Sequence, residues 1–316
     1  MAVLSGDVLV VNAGSTSVKL TLVGSDDAAR AVETGDTLDV CAVGHRVVHG
    51  GPRFVEPVVI DAEVVGGIRA VSELAPLHNE PALAAIAEWR LRLPNVPHVA
   101  VFDTAFHATI PEVARTYALP ARYRDLGIRR YGFHGISVQS VAERLRVPRL
   151  VVCHLGGGSS VTAVLDGTSV DTTMGFTPLE GVPMGSRSGS IDPGALLHLL
   201  RHGTSVEALA TALEHESGLV GLAGTDDVRA LEQSVNAVAR FALELYCYRV
   251  AQAVAAMAVP LGGVDVLAFT GGIGARSERV RDTIAARLEH LAVDRVVALE
   301  SQEDRVIAAA TRALVP

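Results

Sequence analysis

Short apolar runs alternate along this chain with longer Ala- and Leu-rich stretches. The alternation predicts an α/β protein, in which buried strands are covered by helices. Val8 to Asn12 reads as a buried strand, Val18 to Val23 as the strand paired with it, and His98 to Phe102 as another short buried strand. Pro81 to Leu91 reads as a helix with Ala, Ile and Trp89 on one face. Thr204 and Glu207 have the spacing of a capping box, which predicts a helix reaching about His215. A longer helix rich in Ala, Leu and Val is predicted from Asn236 to Val259, stopped by Pro260. Gly262 and Gly263 then turn the chain into a strand, Val264 to Thr270.

There is no short-period repeat, but there is a long-range echo. Val10 to Val18 and Cys153 to Val161 each place an apolar strand, a turn of small residues and a second strand in order. Two copies of one hairpin predict two similar domains. A third glycine turn, Gly271-Gly272-Ile273-Gly274, also follows a buried strand. No low-complexity linker separates the halves, so a helix or close-packed hinge is expected to join them.

Composition narrows the chemistry. With 316 residues, 49% hydrophobic and only 4% aromatic, the cores must be built from Ala, Val and Leu. A net charge of -8 argues against a nucleic-acid surface, which needs clustered Lys and Arg. Cys41, Cys153 and Cys247 are scattered, without a zinc-type pairing, which predicts a reduced cytoplasmic protein. The first apolar run lacks a basic flank and breaks at Asn12-Ala13-Gly14, so no signal peptide is expected. Val250 to Val259 falls well short of the roughly 18 apolar residues of a membrane helix.

Small residues after a strand let backbone N–H groups approach phosphate oxygens. Three such turns occur, around Gly14, Gly156 to Gly158, and Gly271 to Gly274. Any one of them is as well explained by a simple strand connection; three together, with hydroxyls or a cation nearby, favour a nucleotide. None fits the P-loop pattern or the dinucleotide fingerprint.

The charged residues sit in unusual company. Arg46 lies in the apolar, glycine-flanked run Gly44 to Gly51. It reads as a ligand for phosphate or carboxylate, or as the partner of a structural Asp. His45 and His49 lack the spacing and third ligand that a metal would need. Asp103 ends a buried strand, where ligand and catalytic groups gather in open α/β sheets. His134 sits between glycines, and Arg187 lies in a loop of small residues after Thr177 to Gly181. Each loop alone can be structural; together they supply the cations and acid that phosphoryl transfer asks for.

These segments resemble the acetate kinase family. Asn12 to Lys19 and Met174 to Pro193 look like its two signatures. His45 to Gly51, Ala75 to Asn79, Phe102 to His107, Arg130 to Gly135, His154 to Gly156, Ser217 to Leu219 and Phe269 to Gly274 follow in the family order. The resemblance covers essentially the whole chain. It implies duplicated actin-like (ribonuclease H-like) α/β domains with an active-site cleft between them. It implies an N-terminal domain of residues 1–147 plus 303–316 and a nucleotide-binding domain of residues 148–302.

The implied reaction is reversible transfer of the ATP γ-phosphoryl group to acetate. The resemblance makes Arg46, Asp103, His134 and Arg187 catalytic, with His134 and Arg187 stabilising the transition state. It places the acetate methyl among Val48, Leu77, Phe133 and Pro178, with Arg46 on the carboxylate. It gives the nucleotide to Ser17, Lys19, His154, Leu155, Gly156, Gly157, Gly158, Asp227, Val228, Arg229, Gly271, Gly272, Ile273 and Gly274. Asn12 and Glu303 fall to the metal, Mg2+ with Mn2+ as an alternative. A homodimer is implied, with no nucleic-acid or membrane partner.

The chain departs from the family in being shorter. Gly157 stands at a usual Asn, Ala275-Arg276 at a usual Glu-Asn, and Ser190 at a usual Asp. Three rival readings follow: a propionate or butyrate kinase, a different phosphoryl donor, and a non-catalytic nucleotide-binding homologue.

Overall fold

β1 (Val8–Ala13) is an apolar run buried along its length. It forms a strand rather than a helix because both of its faces are covered. Leu9 and Val11 join one core with Ile86 and Trp89, while Val8 and Val10 join another with Val101 and Ile307. A computed structural model describes residues 6–14, 18–72 and 76–315 of the chain, apart from the side chains of residues 76–78.

The chain folds into two compact units. The first comprises Met1–Ala108, Phe133–Ser140 and Gln302–Pro316, and the second Thr109–Gly132 and Val141–Ser301. Among the described residues, the first unit holds β1, β2 (Val18–Val23), β3 (Ala29–Ala31), β4 (Ala42–Val47), β5 (Val58–Val59) and β6 (His98–Phe102). Their order in the sheet is β3-β2-β1-β4-β6-β5. β1 and β2 form the expected antiparallel hairpin, with Asn12 opposite Lys19. β4 is parallel to both β1 and β6. The final helix, Glu303–Leu314, covers one face. A Cβ on Gly44 would lie 2.5 Å from Thr311 Oγ1 and 2.7 Å from Ile307 Cγ2, so this approach requires glycine in β4.

The second unit contains β7 (Arg149–Leu155), β8 (Ser159–Leu165), β9 (Thr168–Thr172), β10 (Val266–Thr270) and β11 (Arg295–Ala298), ordered β11-β10-β7-β8-β9. Read from the meander end, both sheets run third, second and first strand, then two parallel strands. The hairpin echo in the sequence is therefore a duplication of topology. The helix Ala237–Leu261 lies on β7, β8 and β9; its Ala239, Ala242 and Ala251 are buried, and small side chains permit close packing.

Several local expectations shift. The helix expected from Pro81 begins at Pro76. Ser205, not Thr204, caps the helix Val206–His215, its Oγ accepting from the Ala208 N–H at 3.1 Å. The Thr204 N–H instead closes the preceding turn onto the Leu199 carbonyl. Pro260 does not stop the long helix: the helix runs to Leu261 and ends at Gly262, whose φ of 65° is left-handed. That residue carries the C-terminal signal, since glycine adopts this conformation without strain. β10 starts at Val266 rather than Val264. Gly271 to Gly274 is not an open turn but the start of a short helix, Gly271–Arg276.

Candidate active site

In the first unit, Arg46 on β4 and Asp103, one residue beyond β6, are brought together by strand register. Arg46 pairs with Val101 and Val47 with Phe102, and the Asp103 N–H continues the ladder to the Val47 carbonyl at 3.0 Å. Arg46 donates to Asp103 Oδ2 from Nη2 at 2.5 Å and from Nε at 3.1 Å. Its Nη1 donates to Asn12 Oδ1 at 3.2 Å, and Asn12 Nδ2 donates to Glu303 Oε2 at 3.4 Å. Four side chains from β1, β4, the end of β6 and the last helix thus form one polar network. Burial opposes the Arg46 charge, but Asp103 beside it holds its pKa above the usual value. Burial likewise pushes Asp103 up, against the pull of Arg46. The structural-Asp reading of Arg46 is therefore realised, and the same pair lies at the strand ends where ligands gather.

His134 takes a left-handed backbone, with φ of 60°. That conformation costs a non-glycine residue on the order of 1–3 kcal/mol and clusters at functional sites. Its neighbour Gly135 donates its N–H to the Asp103 carbonyl at 3.0 Å, where a Cβ would sit 2.1 Å from that oxygen. His134 is thus fixed next to Asp103 along the backbone. Phe133 and Val48 are both buried, and the Phe133 ring meets the His49 ring edge-on at 5.3 Å. Asn79 holds this region with two bonds of 3.0 Å to the His49 backbone. Ser17 and the Leu77 side chain lie outside the described residues. Lys19 is engaged by Asp304 at 2.8 Å.

In the second unit, the β7–β8 turn, Gly156 to Gly158, meets the helix that begins at Gly271. A Cβ on Gly271 would lie 2.5 Å from the Leu155 carbonyl, and one on Gly156 would lie 3.7 Å from the Gly272 nitrogen. Leu155 itself is core, so only its backbone is available at the turn. Ser159 Oγ, 3.0 Å from Tyr246 Oη, anchors the turn to the long helix. His154 pairs across the hairpin with Ser160. The Gly185 N–H donates to the Gly157 carbonyl at 3.3 Å, which ties the loop carrying Arg187 to the same turn. Beside the Gly271 helix opens a cavity of about 440 Å³ lined by Asp227, Val228, Arg229, Gly272, Ile273 and Arg276, among others. Asp227 also caps the helix Val228–Gln233 through Oδ1.

Arg187 differs from Arg46. Its Nη1 donates to the Pro178 carbonyl at 3.4 Å and approaches Met184 Sδ at 3.9 Å. Among the described residues no carboxylate lies within ion-pair distance of it, and burial lowers its pKa. Pro178, expected beside the acetate methyl, is therefore bonded to Arg187.

Two supporting residues escaped sequence reading. Tyr117 stands in no motif, and nothing in the sequence marks its bond to Glu180. The sequence marks His98 only as the start of a strand. Its Nε2–H donates to the Leu93 carbonyl at 3.1 Å, so its Nδ1 accepts from His45 Nε2–H at 2.9 Å. His45 Nδ1 is then an unprotonated, buried atom without a partner. Burial drives the His45 pKa down to about 3.

A family profile described as the Acetokinase family matches residues 27–314. An acetate kinase of Deinococcus radiodurans is 51% identical over 84% of this chain and 72% of its own length. One from Protochlamydia amoebophila is 46% identical over 79% of this chain, which spans 66% of that protein. Among solved structures, a propionate kinase from Francisella tularensis superposes with a TM-score of 0.90 at 32% identity, covering 98% of this chain and 100% of that one. The acetate kinase of Porphyromonas gingivalis superposes at 0.86 with 29% identity, covering 98% and 100%.

The His45 arrangement predicts an acid sensitivity. The folded pKa lies below the unfolded value of 6.5, so this stabilising contribution is complete above pH 6.5 and is lost as pH falls toward 3. Between pH 7.5 and 5 the loss should be on the order of 2 kcal/mol. Urea unfolding of the native chain and of His45→Gln at both pH values checks it. The variant should show the smaller loss; an equal loss in both would contradict the assignment.

Proposed function

The chain belongs to the acetokinase family, and from that premise we propose that it is an acetate kinase, moving the γ-phosphoryl group of ATP reversibly onto acetate. The observation that carries the reading is Arg187. It is a half-buried cation with no carboxylate within ion-pair distance among the described residues, in a loop bonded to the glycine turn at Gly157.

Acetate is already an anion, so no proton need be removed from it and Asp103 is not required as a general base. The physical difficulty is bringing one anion to another. At about 4 Å and an effective dielectric of about 20, each pair of like unit charges costs ~4 kcal/mol. Arg46 holds the carboxylate, Arg187 the transferring phosphoryl group, and His134 its equatorial oxygens. Asp103 holds Arg46 in place, and its geometry supports that orienting role. Val48, Leu77, Phe133 and Pro178 take the methyl group. The backbone N–H groups at Gly156 to Gly158 and Gly271 to Gly274 face phosphate oxygens, and Asp227, Val228 and Arg229 border the nucleoside. Ser17, Lys19, His154 and Leu155 complete the assignment.

Asn12 and Glu303, joined by the Asn12 Nδ2–H bond to Glu303 Oε2 at 3.4 Å, offer oxygen ligands, which suit a hard divalent cation such as Mg2+ better than a soft one. When bound, that ion supplies charge neutralisation to the phosphates. A propionate preference is the second reading, favoured by the Francisella neighbour. Acetate fits better, because the relatives at 43–51% identity are acetate kinases. One methylene is worth only about 1–3 kcal/mol of discrimination, so a graded preference is expected.

Among the described residues no helix is long and apolar enough to cross a membrane, and the cysteines are free, which supports a cytoplasmic protein. A homodimer, as the family resemblance implies, completes the proposal. Sedimentation velocity should read twice the chain mass of 33.0 kDa; a monomer would remove that part of the proposal.

Trapping acyl phosphate with hydroxylamine tests the reaction. With Mg-ATP, turnover should rank acetate first, then propionate, then butyrate. No acyl phosphate from any acid would defeat the kinase reading, and a propionate maximum would replace acetate as substrate.

A further inference from the structure

The loop from the end of β9 to Arg187 has no regular secondary structure of its own. Such a segment holds a catalytic side chain in place only where other groups fix its backbone. A set of three side chains in the second unit does this. Arg130 Nη1 donates to the Thr172, Thr173 and Met174 carbonyls at 2.8, 2.9 and 3.1 Å, and Nη2 donates to Glu180 Oε1 at 2.9 Å. Tyr117 Oη donates to Glu180 Oε2 and accepts from the Phe176 N–H at 2.9 Å. Burial and Glu180 push the Tyr117 pKa up, which keeps the phenol protonated as the donor.

The cluster also leaves no room for variation at Gly175. A Cβ there would lie 1.6 Å from Glu180 Oε2 and 2.1 Å from Tyr117 Oη. Beyond Glu180 the loop is closed by two bonds between Gly181 and Ser190: Gly181 N–H to Ser190 Oγ at 3.0 Å, and Ser190 N–H to the Gly181 carbonyl at 2.8 Å. Between these anchors lies Pro178, whose carbonyl accepts from Arg187 Nη1 at 3.4 Å. Glu180 is therefore held at both carboxylate oxygens, two residues from the carbonyl that orients Arg187.

We propose that Tyr117, Arg130 and Glu180 are positioning residues for Arg187: by fixing residues 173–181 they set the Pro178 carbonyl, and through it the direction of the guanidinium. On this proposal none of the three contacts substrate. The inference rests on the kinase reading for its activity readout, and on geometry alone for its spectroscopic one.

A misplacement of about 1 Å in a catalytic group can cost about 100-fold in rate. Tyr117→Phe and Glu180→Gln should each lower kcat by about 10- to 100-fold, with the KM for ATP unchanged and the fold retained. The deciding experiment repeats both substitutions in an Arg187→Ala background. If the cluster works through Arg187, each should then change the residual kcat by less than about threefold. Equal fold-losses in the two backgrounds would mean a general structural role and overturn the proposal, as would full kcat in folded variants. Independently of activity, the Arg187 Nε–H resonance, identified by its loss in Arg187→Ala, should shift in Tyr117→Phe and in Glu180→Gln. An unmoved resonance in both would overturn the proposal. A native chain that makes no acyl phosphate would defeat the kinase reading instead, and the resonance would still decide the positioning role.

Discussion

A buried cation must be matched by an anion or carry a desolvation cost, and Arg46 and Arg187 solve this differently. Arg46 is matched within the chain by Asp103 and supported by Asn12. Breaking such a pair from one side costs on the order of 3–5 kcal/mol, so the network holds its geometry whether or not substrate is bound. Among the described residues Arg187 bonds to the Pro178 carbonyl and approaches a thioether, with Glu214 acting on it from beyond ion-pair distance. In the proposed reaction, which joins two anions, Arg46 would fix a position and Arg187 would gain its counter-charge from the transferring group.

The fold supplies these groups through repetition. Each sheet joins an antiparallel meander to parallel strands, and in each the candidate site turns lie at strand ends. In the first unit the ends of β1, β4 and β6 present Asn12, Arg46 and Asp103. In the second, the β7–β8 turn and the end of β10 present the glycines. The glycine approaches explain the small residues at Gly44, Gly135 and Gly271, where a Cβ would strike a helix side chain or a carbonyl. The same hairpin therefore carries polar side chains in one copy and bare backbone in the other.

Much of this was legible in the sequence. Strands β1 and β6 were marked by apolar runs, β2 by its alternation of apolar and polar residues, and the repeated hairpin announced the duplication. Errors came where two local signals compete. Pro260 lies in the final turn of its helix, and the left-handed Gly262 two residues later sets the end. Thr204 and Ser205 are adjacent hydroxyls, and only backbone geometry chooses the cap. Arg46, Asp103 and Glu303 were recognisable by motif, but their contacts span from 34 to 291 residues, which no local pattern encodes. Tyr117 was invisible for the same reason: its partner lies 63 residues away.

The measurement that bears most directly on this account is turnover and melting of Arg187→Ala beside the native chain. Loss of one preorganised donor at a developing charge costs about 100- to 1,000-fold in kcat. Removal of an unmatched buried charge should leave the melting temperature unchanged or raised. That combination is the expected result: a folded protein, as stable as the native chain, with turnover reduced at least about 100-fold. Near-native turnover in the folded variant would contradict the assignment of Arg187 to the transferring phosphoryl group.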